Sequence, residues 1–395
     1  MSVDLDFRRP VGREARVFLD NLQAEVVGER PLMLAYWGAF GGLPKLTLEL
    51  AQAASASRTV QCSIAISRSN ELYHAYDSLG DALFAVPTFR NKPGAFLNWQ
   101  SLSKLRSGLG ERFRRDNTRA YVSLAPHVWS PLLGPVIRRA GVRHVVVAHD
   151  ASAHPGDVYG PVNRWLLREA VSADQVITLS NFVARGLAAY GIPERKISVL
   201  FHPDLDYATS PRAGRTEREP LGVLFIGRLF KYKGLSLFVD AIELLRGSGV
   251  PIRVGVYGWG KIDQPLQRRL SALGATVVNR YVAHEELPAI FARYDLVAAS
   301  HIEASQSGVV ASAFGAGLPV VVTPVGGLVE QVVSGVNGIV ARSVTAEAVA
   351  AAIRTVADDP ALLARLRDGV AATRDQRSVE RFFDRICGVA LGPPP

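Results

Sequence analysis

The sequence has few of the features that build disulfide frameworks, metal sites and membrane spans. Among 395 residues there are two cysteines, Cys62 and Cys387, and no Cys/His cluster with metal-ligand spacing. These counts exclude a disulfide scaffold and favour a reducing compartment. No apolar run reaches about 18 residues, and the charged N-terminus lacks the apolar core of a signal peptide. We therefore expect a cytoplasmic protein without a transmembrane helix, a bound metal or a resident cofactor.

The sequence contains enough hydrophobic residues to form two sizeable cores. Hydrophobic residues make up 48% of the chain, whose length suits two domains better than one. Apolar stretches alternate with amphipathic segments in both halves, which predicts α/β domains with doubly wound parallel sheets. The polar, proline-containing stretch 206–220 interrupts the alternation, and we interpret it as a linker. We expect Rossmann-like domains at 1–205 and 221–376, with a final helix, 377–390, returning to the first domain.

The net charge of +9 is concentrated in one segment of the first half. Residues 89–119 contain eight basic and two acidic residues, interleaved with bulky apolar ones. This pattern predicts a surface that faces an anionic membrane or a lipid-linked phosphate. The alternative is a solvated helix whose apolar side belongs to the core. A nucleic-acid partner is not expected, because no groove-reading motif accompanies the charge.

The stretch 300–330 has the strongest pattern of a ligand site. Ser307 and Gly308 open a predicted helix that follows a buried strand and a polar loop. The unpaired N–H groups and partial positive charge of such a helix start suit a phosphate. Glu303 lies just upstream and could bind sugar hydroxyls, so the two features together favour a nucleotide-sugar site. The alternative is an ordinary strand–helix–strand unit with a solvated Glu303.

Three further loops follow predicted strands. The loop 227–234 contains Arg228 and Lys233, and cations at a strand end suit a diphosphate by charge and by arginine's forked donors. A solvated basic loop is the alternative. The glycine-rich turn 37–42 is not GxGxxG, so it indicates dinucleotide binding only weakly. His149 ends another strand, where α/β sheets bind ligands, although a capping or core histidine is the competing interpretation.

Taken together, the motifs of the second half resemble those of the retaining glycosyltransferases of family 4, which have the GT-B fold. The resemblance rests on GRLFKYKGL, VYGWG, HEELPAIFARYDLVAAS and EASQSGVVASAFGAGLPVVVTPVGGLVEQVVSGVNGIV. It covers residues 221–341 well and the first half more weakly, through WGAFGG, His149 and LSNFVARGL. It implies two Rossmann-like domains that face each other across a cleft.

The resemblance also implies roles for individual residues. Arg228 and Lys233 would hold the donor diphosphate, together with the amides of Ser307 and Gly308. His149 would lie near the anomeric carbon. Six further residues are expected near the donor sugar or nucleotide: Gly38, Gly41, Gly42, Gly258, Tyr281 and Gln306.

The paired-glutamate motif of the family is only half present. Glu303 matches its first glutamate and would contact the transferred sugar. The second glutamate, expected eight residues later, is Ala311. Because that glutamate usually holds the ribose, the departure bears on ribose binding and on activity itself.

The implied activity is metal-independent transfer of a hexose, with retention, from a UDP- or GDP-type sugar. The acceptor would be a growing or polyprenyl-diphosphate-linked glycan of an exported polysaccharide, reached at the inner face of the plasma membrane. Two Asp-x-Asp triplets, 4–6 and 204–206, are interpreted as structural rather than metal-binding. A non-catalytic scaffold subunit with the same fold is the main alternative, favoured by Ala311, and a GT-B epimerase or phosphorylase is a third.

Overall fold

The chain folds into two parallel β-sheets with helices packed against them, one sheet in each half. The computed structural model describes residues 31–89, 98–151, 160–207 and 219–393. Within these ranges the predicted α/β class with two Rossmann-like domains is confirmed. Most of the predicted linker and the triplet at 4–6 lie outside the described residues, so the domain boundaries stay predictions.

The first sheet has seven parallel strands in the order β3-β2-β1-β4-β5-β6-β7. Its strands are β1 Leu32–Tyr36, β2 Cys62–Ser67, β3 Leu83–Val86, β4 Ala120–Ser123, β5 Arg143–Ala148, β6 Gln175–Thr178 and β7 Ile197–Val199. Its helices are α1 Gly42–Ala56, α2 Trp99–Arg115, α3 Gly134–Arg139, α4 Gly160–Ser172 and α5 Asn181–Ala189. The strand order reverses between β1 and β4, where open α/β sheets form a ligand crevice.

The second sheet has six parallel strands in the order β10-β9-β8-β11-β12-β13. Its strands are β8 Leu221–Ile226, β9 Ile252–Gly258, β10 Thr276–Asn279, β11 Leu296–Ala299, β12 Val320–Val322 and β13 Gly338–Val340. The helices that follow in chain order are α6 Leu235–Gly247, α7 Gln264–Ala272, α8 Leu287–Phe291, α9 Gly308–Gly315, α10 Leu328–Gln331, α11 Ala346–Ala357, α12 Pro360–Ala372 and α13 Val379–Leu391. The switch point lies between β8 and β11.

The strands were predictable because they are continuous apolar runs. Every residue of β1 and of β8 is buried, as expected for parallel strands covered by helices on both faces. Helix starts follow capping chemistry: the Ser180 hydroxyl, directly before α5, accepts a hydrogen bond from the Val183 amide at 3.2 Å. Local residue preferences and burial therefore agree along most of the chain.

Prolines divide two segments that the apolar spacing predicts as single helices. The predicted helix 129–139 is a 3₁₀ turn, Ser130–Leu132, followed by α3. The predicted helix 285–294 is likewise a 3₁₀ turn followed by α8. In each case a proline occupies the first helical turn, a position that its missing N–H and fixed φ favour.

The last helix, α13, packs against α1 and the first sheet. Phe382, Phe383 and Ile386 are buried in the apolar core that also contains Leu34 of β1. The same core continues into the second half through Leu224 of β8. The C-terminal segment therefore contributes to the first domain, and the two domains share apolar contacts beneath the crevices.

Candidate active site

A cavity of about 190 Å³ lies between the two domains, at the carboxyl ends of their central strands. Residues from both halves line it, including six that the sequence marks as site residues: Gly42, His149, Arg228, Lys233, Gln306 and Gly308. The strand-end loops of two separate sheets therefore meet at one position. Such crevices outside the carboxyl ends of parallel strands are where ligands bind in α/β folds.

The cations of the cavity come from the loop after β8. The Arg228 guanidinium lies over the ring of Phe230, 5.2 Å from its centroid, and donates to the Tyr232 hydroxyl at 2.5 Å. Lys233 Nζ lies 2.9 Å from Nε2 of the buried His301 and over the Tyr232 ring. Two positive groups are thus held at one wall of the cleft, as a diphosphate requires.

The start of α9 forms part of the same wall, but its first amide has a partner. Ser307 N donates to Oε1 of Gln331 at 2.7 Å, and Gln331 Nε2 donates to Ser307 O at 3.3 Å. Gly308, one residue further, lines the cavity. A phosphate contact by the Ser307 amide stays a prediction and would require Gln331 to move. Gln331 carries no sequence signal for this role, because it acts from α10.

His149 is held as a neutral imidazole of defined tautomer. Its Nε2 lies 2.8 Å from Leu124 O, and because a carbonyl only accepts, Nε2 carries the proton. Nδ1 is then an acceptor and faces Nε2 of Gln306 at 3.5 Å. Burial lowers the pKa of His149, so the ring stays uncharged at neutral pH. This excludes a resting charge on the ring and leaves a single acceptor nitrogen facing the second domain.

A second histidine, His202, lines the cavity and was missed by the sequence analysis. Its Nδ1 lies 2.9 Å from Pro203 O. Burial lowers its pKa to about 4, with the neighbouring His149 acting in the same direction. A sequence signal did exist: His202 follows the apolar stretch that forms β7, at the same sheet edge as His149.

The glycine-rich turn after β1 is divided between the cavity and a contact with the second domain. Gly42 lines the cavity, whereas Gly41 N donates to Glu71 Oε1 at 3.0 Å. Tyr281 donates to Glu71 Oε2 at 2.6 Å, and Nε2 of His284 lies 2.9 Å from Gly41 O. Gly41 and Tyr281 therefore join the domains beside the cavity, and neither is among the described residues that line it.

Four other predicted site residues lie outside the lining of the cavity: Ser307, whose amide bonds to Gln331, and Gly38, Gly258 and Glu303. A Cβ on Gly38 would lie within 2.3 Å of the Tyr36 hydroxyl. Gly258 has a φ of 143°, and a Cβ there would lie 1.7 Å from Gly227 O, so this glycine lets two strand-end loops touch. Glu303 is exposed, and its contact with the sugar stays a prediction.

Ala311 faces the interior rather than the cleft. It is buried, and its carbonyl accepts from Leu205 N at 3.3 Å. The described residues that line the cavity include one carboxylate, Asp150. The structure therefore brings cations and amides to the site but provides no carboxylate at the position of the family's second glutamate.

The triplet 204–206 has ion-pair partners in the structure. The carboxylate of Asp204 accepts from Arg377 Nε at 3.0 Å, and Asp206 accepts from Arg374 at 2.7 Å. Both arginines precede α13, so the triplet ties the end of the first domain to the returning helix. In the part of the chain that the structure describes, no group of three or more His, Cys, Asp or Glu side chains converges as a metal site would require.

The basic segment 89–119 contains α2, and the apolar side of this helix belongs to the core. Four apolar residues of the helix are buried in the first domain: Leu102, Leu105, Leu109 and Phe113. Arg112 is buried too, where it pairs with Asp116 and donates to Asp81 O. Trp99 is 68% exposed, and Lys104 and Arg114 are exposed on the same helix. Residues 90–97 lie outside the described ranges. The alternative interpretation is thus correct for the apolar side of α2, while its outer side remains basic.

None of the helices in the described ranges is both long and apolar enough to span a bilayer.

Two protein-family models match the chain, one in each domain. The model described as Glycosyltransferase Family 4 matches residues 40–203, and the model described as Glycosyl transferases group 1 matches residues 220–359. Together they cover both sheets apart from β1, and every residue that lines the cavity apart from Leu205.

Relatives with assigned names are similar over part of their length. The chain is 33% identical over 233 residues to the glycogen synthase of Mycobacterium tuberculosis. The aligned region covers 55% of each chain. It is 32% identical over 255 residues to a GDP-mannose-dependent alpha-(1-6)-phosphatidylinositol monomannoside mannosyltransferase of Mycolicibacterium smegmatis, covering 58% of this chain and 65% of that one. The similarity thus spans about half to two thirds of these relatives.

The fold matches that of a solved protein. The superposition on the crystal structure of Anabaena HepE in complex with UDP and glucose covers 92% of this chain and 100% of that chain, with a TM-score of 0.71. Sequence identity is 16%, so the likeness is one of fold.

Proposed function

The chain belongs to the family 4 glycosyltransferases, and on that premise we propose that it transfers a hexosyl group, with retention, from a nucleotide-diphosphate sugar to a glycan acceptor. The observation that carries the proposal is the meeting of Arg228, Lys233 and Gly308 in one cavity with His149 of the other domain. Cations and a helix start suit the diphosphate, and the opposite wall is left for the sugar and the acceptor.

The proposed reaction exchanges one bond at the anomeric carbon for another. The bond from that carbon to the β-phosphate oxygen breaks as the nucleoside diphosphate leaves. Arg228 and Lys233 stabilise the negative charge that develops on the leaving group. The acceptor hydroxyl attacks from the same face, and its proton passes to a leaving phosphate oxygen, which preserves the configuration. Protein cations neutralise the diphosphate in this scheme, so it needs no metal.

In this scheme His149 places an uncharged ring of fixed orientation near the reacting carbon. Because its Nε2 proton is bonded to Leu124 O, the ring orientation is fixed before substrate binds. An uncharged imidazole avoids repulsion with the positive charge that develops on the sugar. Glu303, which belongs to the second domain, would bind hydroxyls of the transferred hexose.

We propose that the acceptor is a lipid-linked or growing glycan of an exported polysaccharide, used at the cytoplasmic face of the membrane. The outer side of α2 supports this: Lys104 and Arg114 are exposed, and Trp99 is exposed near the start of the helix. Basic residues with an interfacial tryptophan suit an anionic lipid surface.

A thermal-shift panel of UDP, GDP and ADP sugars tests the proposal, followed by donor hydrolysis with the sugar that stabilises most. A ligand that binds only the folded state raises the melting temperature, and at equal concentration a tighter ligand raises it more. We expect one nucleotide series to stabilise the protein and slow release of free sugar in its presence. No stabilisation by any series would contradict the proposal.

A non-catalytic nucleotide-sugar-binding or scaffold subunit is the second candidate, and Ala311 favours it. The site keeps the cations for the diphosphate but has an alanine in place of a carboxylate. Stabilisation by a nucleotide sugar without hydrolysis or transfer would favour this candidate over the enzyme.

A further inference from the structure

The loop after β8 and the loop after β11 are joined residue by residue. Ile302 N donates to Tyr232 O at 2.7 Å, and Ser300 Oγ donates to Gly234 O at 3.1 Å. The backbones are in close contact, because a Cβ on Gly234 would lie 1.8 Å from Ser300 O. Lys233 and His301 lie between these two bonds and form a third contact, which joins two side chains.

His301 contacts both parts of the predicted diphosphate site through one ring nitrogen. Its Nε2 lies 2.9 Å from Lys233 Nζ and 3.2 Å from Ser307 Oγ, directly before α9. The side chain is buried, and its backbone carbonyl accepts from the Thr323 hydroxyl. The Thr323 bond fixes the backbone of His301, and the buried ring joins the cationic loop to the helix start.

The chemistry of the pair fixes the state of the imidazole. A lysine ammonium has three donors and no acceptor, so Nε2 of His301 must supply a lone pair. Bonding to His301 is compatible with contacts from the same ammonium to phosphate oxygens. Because a lysine stem is flexible, an anchored acceptor lowers the side-chain entropy lost when the diphosphate binds.

We infer that His301 is a positioning residue of the donor site, which holds the Lys233 ammonium at the cleft beside the start of α9. This inference rests on the proposed function, since it assumes that Lys233 binds the diphosphate. It goes beyond the family resemblance, which assigns no role to this position. His301 itself does not line the cavity among the described residues, so it acts through Lys233.

The test uses the whole chain and calorimetric titration with UDP, GDP or ADP, whichever binds the wild type. His301→Phe keeps a ring but removes the acceptor, whereas His301→Gln keeps an acceptor atom at similar reach. We expect His301→Phe to weaken affinity roughly tenfold and His301→Gln to stay within about threefold of wild type. Melting temperatures identify folded variants, and His301→Gln keeps the test informative if the phenylalanine variant misfolds.

A double-mutant cycle separates positioning from a general structural effect. Lys233→Ala should reduce affinity strongly in the wild type but little in the His301→Phe background, because the lysine is already misplaced there. Equal losses in both backgrounds, or wild-type affinity in His301→Phe, would overturn the inference while the proposed function stands. Absence of nucleotide binding to the wild type would contradict the proposed function, and this role with it.

Discussion

The carboxylate of Glu330 in the second domain accepts a hydrogen bond from the backbone amide of Asn181, the first residue of α5 in the first domain, at 2.6 Å. The same carboxylate accepts from the Phe182 amide at 2.9 Å and from the Asn181 side chain at 2.9 Å. One domain thus caps a helix of the other, where the positive end of the helix favours an anion.

Removing this carboxylate should loosen the contact between the domains. Glu330→Ala leaves two helix-start amides without their acceptor, at a cost of about 0.5–2 kcal/mol, and we expect a melting temperature lower by roughly 2–4 °C. Glu347→Ala is the matched control, because Glu347 is an exposed first-turn residue of α11 within one domain. Equal shifts for the two variants would contradict the interdomain cap.

The sequence predicts the fold and part of the site because both depend on patterns among residues that are close in sequence. Apolar runs mark β1 and β8, and the cations of the 227–234 loop follow directly from a strand end. The missed residues act across elements: Gln331 reaches Ser307 from another helix, and His301 meets Lys233 across 68 positions. The helix and strand periodicities of the sequence do not predict pairs of residues that lie on different elements.

The orientation of α2 was predictable from its spacing. Arg112 follows Leu109 by three positions, which puts it on the helix stripe shared with Leu105 and Phe113. The structure buries all four. A count of charges along residues 89–119 does not separate Arg112 from the exposed basic residues, whereas the helical period does.

Freeing the Ser307 amide tests whether it can bind phosphate. Gln331→Ala leaves a buried N–H unsatisfied in the free protein, which should destabilise it by about 1–3 kcal/mol. A diphosphate that accepts from Ser307 N would recover that bond. We therefore expect a lower melting temperature without ligand and a larger shift on adding the nucleoside diphosphate. A smaller ligand-induced shift than in the wild type would contradict the phosphate role of this amide.

Two partly buried histidines predict loss of stability in acid. Burial lowers the pKa of His127 and of His202 to about 4, below the ordinary value of 6.5. Between these values the unfolded chain binds more protons, so stability is full above pH 6.5 and declines as the pH falls towards 4. Melting temperatures measured from pH 7.5 to 4.5 should follow this window.

Substituting both histidines provides the check on that pH dependence. The variant His127→Gln/His202→Gln should have a flatter profile between pH 6.5 and 4, whatever its stability at neutral pH. His74→Gln serves as control, because His74 is exposed. An unchanged slope in the double variant would show that other groups cause the decline.

Charge reversal on the outer side of α2 tests the membrane proposal. Lys104→Glu/Arg114→Glu should reduce sedimentation with anionic liposomes several-fold, since each basic residue near such a surface contributes about 1 kcal/mol. Arg268→Glu/Arg293→Glu applies the same change in net charge to exposed residues of the second domain. Arg112 is left intact because its ion pair is buried. If both variants sediment alike, the membrane surface is not α2.

The measurement closest to the central claim is calorimetric titration of the nucleoside diphosphate selected by the thermal-shift panel. It compares the wild type with Arg228→Ala, Lys233→Ala and the exposed-arginine control Arg268→Ala. Because a hydrogen bond to a charged group is worth about 1.5–3 kcal/mol, each of the two site variants should bind at least about tenfold more weakly, while the control binds like the wild type. Undiminished affinity in both site variants would mean that the diphosphate does not bind in this cleft, and would contradict the account.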